Sequence, residues 1–380
     1  MKQRLFVIST LILFTLILAS FATAADPIKI GAPLAMSGRA AFAGLAEKNT
    51  LIMYAEEFNK AGGLDGRPIE FIFYDTEMKP DVAVNMVKRL IKKDRVLAIV
   101  GITSSWEGMA VLPILEKEKV PSILLASSSG LVDPVMKWVF KIPSDDRIVI
   151  SRMIEHMKAN GIKKVALMSS SDGYGDGGRN SLLAQAPEQG IEIIFDERFA
   201  GDETDLTPLI NKIKNTDAQA VVSWSSKRTP SVVALNYHQL GMQPPLYLGH
   251  AALAPAFIKA VGNVADGDLT ASMKFEAGPV LPDSDPQKKV ILAYQEAYKA
   301  RFGEPANQFG ATGYDAFHIL VDALNKGGTD KAKVRDAIEQ TSNFVGTQGI
   351  FNYSPNDHGG LAPDSILMYK VSEGEWKPIF

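Results

Sequence analysis

The sequence has no cysteine among its 380 residues. No disulfide can therefore stabilise the fold, and no lipobox cysteine can carry the lipid anchor of an exported lipoprotein. A chain of this length buries enough apolar surface to fold without such cross-links, and its length favours two domains. We expect a two-domain protein that is not a lipoprotein.

Residues that commonly carry chemistry are sparse as well. No two histidines are three or four residues apart, as a metal-binding pair on one helix face would be. The five histidines are His156, His238, His250, His318 and His358. The sequence also lacks a G-x-S-x-G elbow, a G-x-x-x-x-G-K-[ST] loop and an H-E-x-x-H motif. We expect no metal site, no cofactor and no catalysis, although a Ser-His-Asp arrangement assembled from distant segments stays open.

The longest apolar run lies at the N-terminus, from Leu5 to Phe21. Lys2 and Arg4 precede it, and the small residues Ala22-Thr23-Ala24 follow it. This order is typical of a cleaved secretory signal peptide, which we place at residues 1–24. An uncleaved membrane anchor is the alternative. No later apolar run approaches the roughly 18 residues of a membrane span, so we expect the exported part to be soluble.

The charge gives no sign of a nucleic-acid partner. The formal net charge is −3 at pH 7, and no basic run with interleaved aromatic residues occurs. We therefore expect no nucleic acid among the partners.

Strand-like and helix-like segments alternate from residue 28 onward. IKIGAPL and IEFIFYD are typical strands, and a helical pattern over 43–60 lies between them. The same alternation starts again after the segment 141–144 and ends near Met273. Two helical patterns over 287–302 and 308–325 follow, and then a β-rich tail. Alternating strands and helices predict parallel sheets with right-handed crossovers, so we expect an α/β fold with two lobes.

Ligands of open parallel sheets bind beyond the carboxyl ends of the strands. Candidate ligand contacts at predicted strand ends are the serines and the tryptophan of these segments and an alanine beside them, namely Ser104, Ser105, Ala126, Ser127, Ser128 and Trp224. Hydroxyls and backbone N–H groups at a helix start suit a carboxylate or another anion. Plain structural roles stay open: an N-cap or a polar turn for the serines, and a core position for Trp224. His250, which ends YLGH, is either a ligand contact or a turn residue.

The segment GYGDGG has the spacing G-x-G-x-x-G of a dinucleotide-binding turn, with an acid at Asp196 further on. Read literally, it indicates an exported NAD-type oxidoreductase. Two observations disfavour this interpretation. An exported protein meets no large NAD pool, and residues 169–172 separate the predicted strand from Gly173, whereas a dinucleotide site places its first glycine almost directly after the strand. Tyr174 also suits a side chain directed into a cleft.

Motifs along nearly the whole chain resemble one family. They are IKIGAPLAMSGRAAFAG, EEFNKAGGLDGRPIEFIFYD, GITSSWEGMAVLPILEKEKVPSILLASSS, SSSDGYGDGG and ATGYDAFHILVDAL. In this order they resemble the leucine/isoleucine/valine-binding proteins, the type I periplasmic solute-binding proteins of ABC importers. The resemblance implies a two-lobed fold with three hinge crossings that closes on a small ligand in the periplasm, a membrane permease as partner, and a monomer.

The resemblance also implies the lobe boundaries. The N-terminal lobe is expected at 27–143 plus 273–352, and the C-terminal lobe at 144–272 plus 353–380. A ligand-sensing receptor module of the same fold, read by a signalling partner, is the alternative function.

The resemblance further implies a ligand site. The ligand carboxylate would be held by Ser105, with Ser104 beside it, and by the backbone of Ala126 together with Ser128. Tyr174 would contact the ligand from the second lobe.

Two departures from the family pattern stand out. Ala43 stands where amino-acid binders of the family carry an aromatic residue, with Phe42 adjacent. His250 and Ala251 stand where they carry an acid that pairs with the α-ammonium. An ammonium buried without a counter-charge is costly. We therefore expect a carboxylate without an α-amino group, aromatic or otherwise hydrophobic. The flat apolar walls of its site would come from Trp224, Trp106 and Phe42.

Overall fold

The computed structural model describes residues 26–379, so the predicted signal peptide lies outside the described residues. The strands are β1 (Ile28–Leu34), β2 (Ile69–Asp75), β3 (Ala98–Gly101), β4 (Ser122–Leu124), β5 (Val139–Lys141), β6 (Lys164–Ser170), β7 (Glu192–Phe199), β8 (Ala220–Trp224), β9 (Leu246–Leu248), β10 (Leu269–Met273), β11 (Phe344–Val345), β12 (Ile350–Phe351), β13 (Ile366–Ser372) and β14 (Glu375–Ile379). The α-helices are α1 (Ala41–Lys60), α2 (Pro80–Arg89), α3 (Ser105–Glu118), α4 (Asp146–Ala159), α5 (Gly173–Glu188), α6 (Thr207–Lys214), α7 (Thr229–Gln239), α8 (Pro255–Val261), α9 (Pro286–Phe302), α10 (Gln308–Gly327) and α11 (Lys331–Glu339).

The first lobe is built on a five-stranded sheet in the order β2-β1-β3-β4-β5. All of its strand pairs are parallel. Alternate residues of β3 point to opposite faces: Ala98 and Val100 pack with α1 and α10, whereas Ile99 packs with α2 and α3. Because helices cover both faces, the strands read as continuous apolar runs rather than as alternating ones.

The second lobe is built on a seven-stranded sheet in the order β14-β13-β10-β9-β8-β6-β7. Strands β6 to β10 pair in parallel, whereas β13 and β14 add antiparallel strands at one edge. The sequence predicted a β-rich tail but not its direction of pairing. The short turn between β13 and β14, with Gly374 at a φ of 69°, requires this antiparallel pairing, since a parallel pair needs a long crossover.

The chain passes between the two sheets three times, after β5, after β10 and after β12. Hydrogen bonds tie these passages together. The hydroxyl of Tyr353 donates to the carbonyl of Lys141 over 2.9 Å, and the hydroxyl of Tyr369 donates to the carbonyl of Met273 over 2.6 Å. The two-lobed α/β fold is therefore confirmed, while the lobe boundaries proposed from the sequence stay predictions.

The long helices near both ends of the described chain fall close to their predicted positions. The helix predicted over 308–325 extends to Gly327, and the one predicted over 43–60 starts at Ala41. Among the helices of residues 26–379, none is long and apolar enough to cross a bilayer.

Candidate ligand-binding site

A cleft opens between the two lobes at the carboxyl ends of β3, β4, β6, β8 and β9. It encloses about 880 Å³, open solvent at its mouth included. Its walls come from the segments that directly follow those strands, and from the first turns of α1 and α10. The cleft therefore lies where the strand-end rule predicts a ligand site.

The start of α3 forms the polar wall of the first lobe. Ser104 is the N-cap: its Oγ accepts from the N–H of Glu107 over 3.4 Å and donates to Glu107 Oε2 over 2.7 Å. Ser105 Oγ accepts from the N–H of Ser128 over 3.1 Å, and within residues 26–379 no acceptor takes its own proton. The hydroxyl of Ser105 can therefore donate to an oxygen in the cleft, beside the N–H groups of Ser105 and Trp106, which have no acceptor among the described residues.

Some residues of the segment after β4 line the cleft, and others are buried behind it. Ala126 and Ser127 line the cleft. Ser128 is 1% exposed and does not reach the wall. Its backbone N–H donates a hydrogen bond to the hydroxyl of Ser105, on the side away from the cleft. The structure thus brings Ser128 to the site through its main chain, not through the side chain named from the sequence.

Tyr174 lines the cleft from the second lobe, at the start of α5. Asp172 caps this helix: its Oδ1 accepts from the N–H of Tyr174 over 3.1 Å and from that of Gly175 over 2.9 Å. The hydroxyl of Tyr174 accepts from the N–H of Ala251 over 3.1 Å. Burial raises the pKa of Tyr174 well above its ordinary value. The phenol therefore keeps its proton and can donate it into the cleft.

Trp224 lies behind the wall rather than in it. It is fully buried at the end of β8. Its ring stacks on Tyr174, with centroids 5.6 Å apart, and meets the edge of His250 at 5.6 Å. The structure does not place this residue in contact with the cleft. Instead, Trp224 supports two side chains that do line it.

The glycines of GYGDGG allow α5 to approach the sheet closely. A Cβ on Gly175 would lie 1.8 Å from the carbonyl oxygen of Ser170, and one on Gly178 would lie 2.1 Å from the ring of Trp224. Asp196 is paired with Arg179, whose Nε donates to Asp196 Oδ1 over 2.9 Å. Close packing and this ion pair account for the motif without a dinucleotide.

Comparison with known proteins agrees with this geometry. A family model described as "Periplasmic binding protein" matches residues 27–375. The chain belongs to this family. Members of the family are periplasmic substrate-binding proteins.

One curated relative of the chain is the leucine-, isoleucine-, valine-, threonine- and alanine-binding protein of Pseudomonas aeruginosa. It is 26% identical over 326 residues, 84% of each chain. The Leu/Ile/Val-binding protein homolog 6 of Brucella suis is 26% identical over 89% of this chain and 86% of its own length. A leucine-binding protein from Thermotoga maritima has a solved structure with a TM-score of 0.83 at 25% identity, covering 93% of this chain and 98% of its own. The chain is similar to all three along nearly its whole length.

In the present protein, two uncharged residues follow β9. His250 and Ala251 both line the cleft. Burial, with a smaller effect of the Lys141 charge, lowers the pKa of His250 to about 3. The imidazole is therefore neutral at neutral pH, and its Nδ1 has no partner within the described part of the chain. No carboxylate lies where the family resemblance implies an acid.

Formal charge is scarce in the whole wall. Of the residues described as lining the cleft, only Asp172 and Lys227 carry a charge once His250 is neutral. Asp172 uses one carboxylate oxygen as the cap of α5. A second acid, Glu47, lies behind Thr103, whose Oγ1 donates to Glu47 Oε2 over 2.6 Å. Burial raises the pKa of Glu47 to about 8, so this group is mostly protonated at neutral pH.

Aromatic walls close the apolar part of the cleft. Phe42 lines it and meets Phe309 edge-on, with ring centroids 5.4 Å apart. Trp106 also lines it, and Lys227 Nζ lies 5.3 Å from its ring centroid. The structure thus brings together around one cleft, from both lobes, Phe42, Ser104, Ser105, Trp106, Ala126, Ser127, Tyr174 and His250.

Sequence reasoning missed Phe309 and Lys227. Phe309 reaches the cleft because α10 starts there, capped by Asn307 Oδ1, which accepts from the N–H of Phe309 over 3.0 Å. An Asn directly before a helical pattern was the available signal. Lys227 has a φ of 65°, a left-handed conformation that no sequence pattern predicts for lysine.

Proposed function

We propose that the protein captures a small carboxylate without an α-ammonium group between its lobes and delivers it to the permease of an ABC importer. It acts without catalysis, as an exported monomer whose signal peptide is cleaved after residue 24. The observation that carries the proposal is a cleft with hydrogen-bond donors at one end and with His250 and Ala251, not an acid, after β9.

The donors suit a carboxylate. The hydroxyl of Ser105 and the N–H groups at the start of α3 converge from the first lobe, and the phenol of Tyr174 comes from the second. Hydrogen bonds to an ionised group are short and about twice as strong as neutral ones. The positive end of the α3 dipole adds to this preference for negative charge.

The rest of the cleft suits a flat apolar body. Phe42, Phe309 and Trp106 present aromatic faces and edges, and aromatic pairs contribute about 0.5–1.5 kcal/mol beyond the area they bury. The names of the curated relatives support a ligand of amino-acid size. We infer an aromatic or other hydrophobic monocarboxylate, for which 3-phenylpropanoate is a suitable probe.

Replacing Ser105 by alanine is expected to weaken binding of 3-phenylpropanoate by roughly 10- to 150-fold. This range corresponds to the loss of one charge-assisted hydrogen bond, about 1.5–3 kcal/mol. Isothermal titration calorimetry on both proteins measures the change.

Ser122→Ala is a matched control. Ser122 is buried at the other end of β4, where its Oγ donates to the carbonyl of Val120 over 2.9 Å. We expect this variant to bind as the unchanged protein does. Equal affinities of Ser105→Ala and Ser122→Ala for the acid would contradict the carboxylate site at α3.

A further inference from the structure

Lys227 reaches across the cleft from the second lobe to the first. It follows β8, two residues beyond the buried Ser225. Its backbone is left-handed, with a φ of 65°, a conformation that costs a non-glycine residue free energy and often occurs at functional positions. The ammonium lies over the ring of Trp106, 5.3 Å from its centroid.

The ammonium lies by the same helical turn that carries the proposed carboxylate site. Trp106 directly follows Ser105, and both residues line the cleft together with Lys227. Lys227 is also close enough to Glu107, in the same turn, to lower the pKa of that carboxyl, although burial has the larger effect and raises it. The charge of Lys227 is therefore felt at the start of α3.

No acid within residues 26–379 forms an ion pair with Lys227 at salt-bridge distance. Glu107, the acid of α3 whose pKa Lys227 lowers, is buried, and its Oε2 accepts from the hydroxyl of Ser104. Asp172, the other charged lining residue, caps α5. The cation–π contact with Trp106 positions the ammonium without neutralising it. Lys227 thus brings into the cleft a positive charge that forms no ion pair within the described residues, and Asp172 is the one other formal charge of the described lining.

The positive charge of Lys227 can replace the positive charge that a ligand without an α-ammonium does not bring. An amino acid enters a cleft as a zwitterion of zero net charge, whereas a monocarboxylate brings a net charge of −1. Burying a lone anion is costly unless a cation lies near it. In this cleft the compensating charge has to come from the protein.

We propose that Lys227 is the counter-charge of the ligand carboxylate and sets the preference of the cleft for monoanions over neutral molecules. The inference rests on the proposed function, since it presupposes a carboxylate at Ser105. Because Lys227 and Ser105 lie on different lobes, the anion also links the lobes electrostatically and favours their closed arrangement.

The test compares an acid with its neutral amide. Calorimetry with 3-phenylpropanoate and 3-phenylpropanamide is run on the unchanged protein and on Lys227→Met, Lys227→Arg and Arg228→Gln. Lys227→Met keeps an unbranched apolar side chain for packing on Trp106 but removes the charge. Arg228 is exposed and does not line the cleft. Arg228→Gln is therefore the control, because it removes an equal charge at the adjacent position, outside the cleft.

We expect Lys227→Met to weaken binding of the acid at least tenfold and to leave binding of the amide unchanged. Lys227→Arg and Arg228→Gln should keep the preference for the acid. An unchanged preference in Lys227→Met, an equal loss for acid and amide, or an equal effect of Arg228→Gln would overturn the inference. If the unchanged protein binds no carboxylate at all, the proposed function itself fails, which is a distinct result.

Discussion

Trp224→Ala is expected to lower the free energy of unfolding by about 3–5 kcal/mol, the usual range for truncating a buried tryptophan. Trp224 is fully buried, and its ring fills the space left by Gly178, where an added Cβ would lie only 2.1 Å away. Ligand binding should weaken as well, because Tyr174 loses the ring against which it stacks. Denaturant unfolding and calorimetry measure the two effects.

Trp106→Ala is the control for the effect of Trp224→Ala on the free energy of unfolding. Trp106 is 49% exposed, and an exposed substitution typically changes stability by about 0.5 kcal/mol or less. If Trp224→Ala destabilised the protein no more than Trp106→Ala does, Trp224 would not be the packing residue that the structure shows.

Ala251→Glu is expected to create binding of α-amino acids. Ala251 lines the cleft directly after β9, and its backbone N–H is fixed by the phenol of Tyr174. A glutamate there would supply the missing partner of an ammonium. A hydrogen bond to a charged group contributes about 1.5–3 kcal/mol, so phenylalanine should gain at least about tenfold in affinity. Calorimetry with phenylalanine and 3-phenylpropanoate measures both affinities.

The same variant should bind 3-phenylpropanoate more weakly, since the new carboxylate repels the anion. Ala251→Gln has nearly the same shape without the charge, so it separates charge from size. A gain for phenylalanine in Ala251→Gln equal to that in Ala251→Glu would contradict the electrostatic explanation, as would no gain in either variant.

The fold was predictable because its information is local. Apolar runs such as IKIGAPL, separated by helical patterns, determine a parallel sheet and its crossovers. The same rule pointed to Ser105, whereas Tyr174 was named through the family resemblance; each lies four residues after the end of a strand and lines the cleft. Only the antiparallel pairing of β13 on β10 needed tertiary structure, because it joins segments far apart in the chain.

The remaining parts of the site depend on side-chain direction. Trp224 ends a strand as Ser170 does, yet the alternation of a strand decides which face each side chain takes. Its ring points to α5, where Gly178 leaves room for it. Lys227 reaches the cleft only through a left-handed backbone, and Phe309 only because α10 returns to the first lobe. None of these is a local sequence property.

The most direct measurement is calorimetry of the unchanged protein with two ligands that differ only in the α-ammonium, 3-phenylpropanoate and L-phenylalanine. An unpaired buried charge costs about 3–5 kcal/mol, so the acid should bind at least about a hundredfold more tightly than the amino acid. Leucine and 4-methylpentanoate form a second pair with an aliphatic body. Binding of phenylalanine or leucine as tight as that of its matched acid would contradict a cleft built for a carboxylate without an α-ammonium.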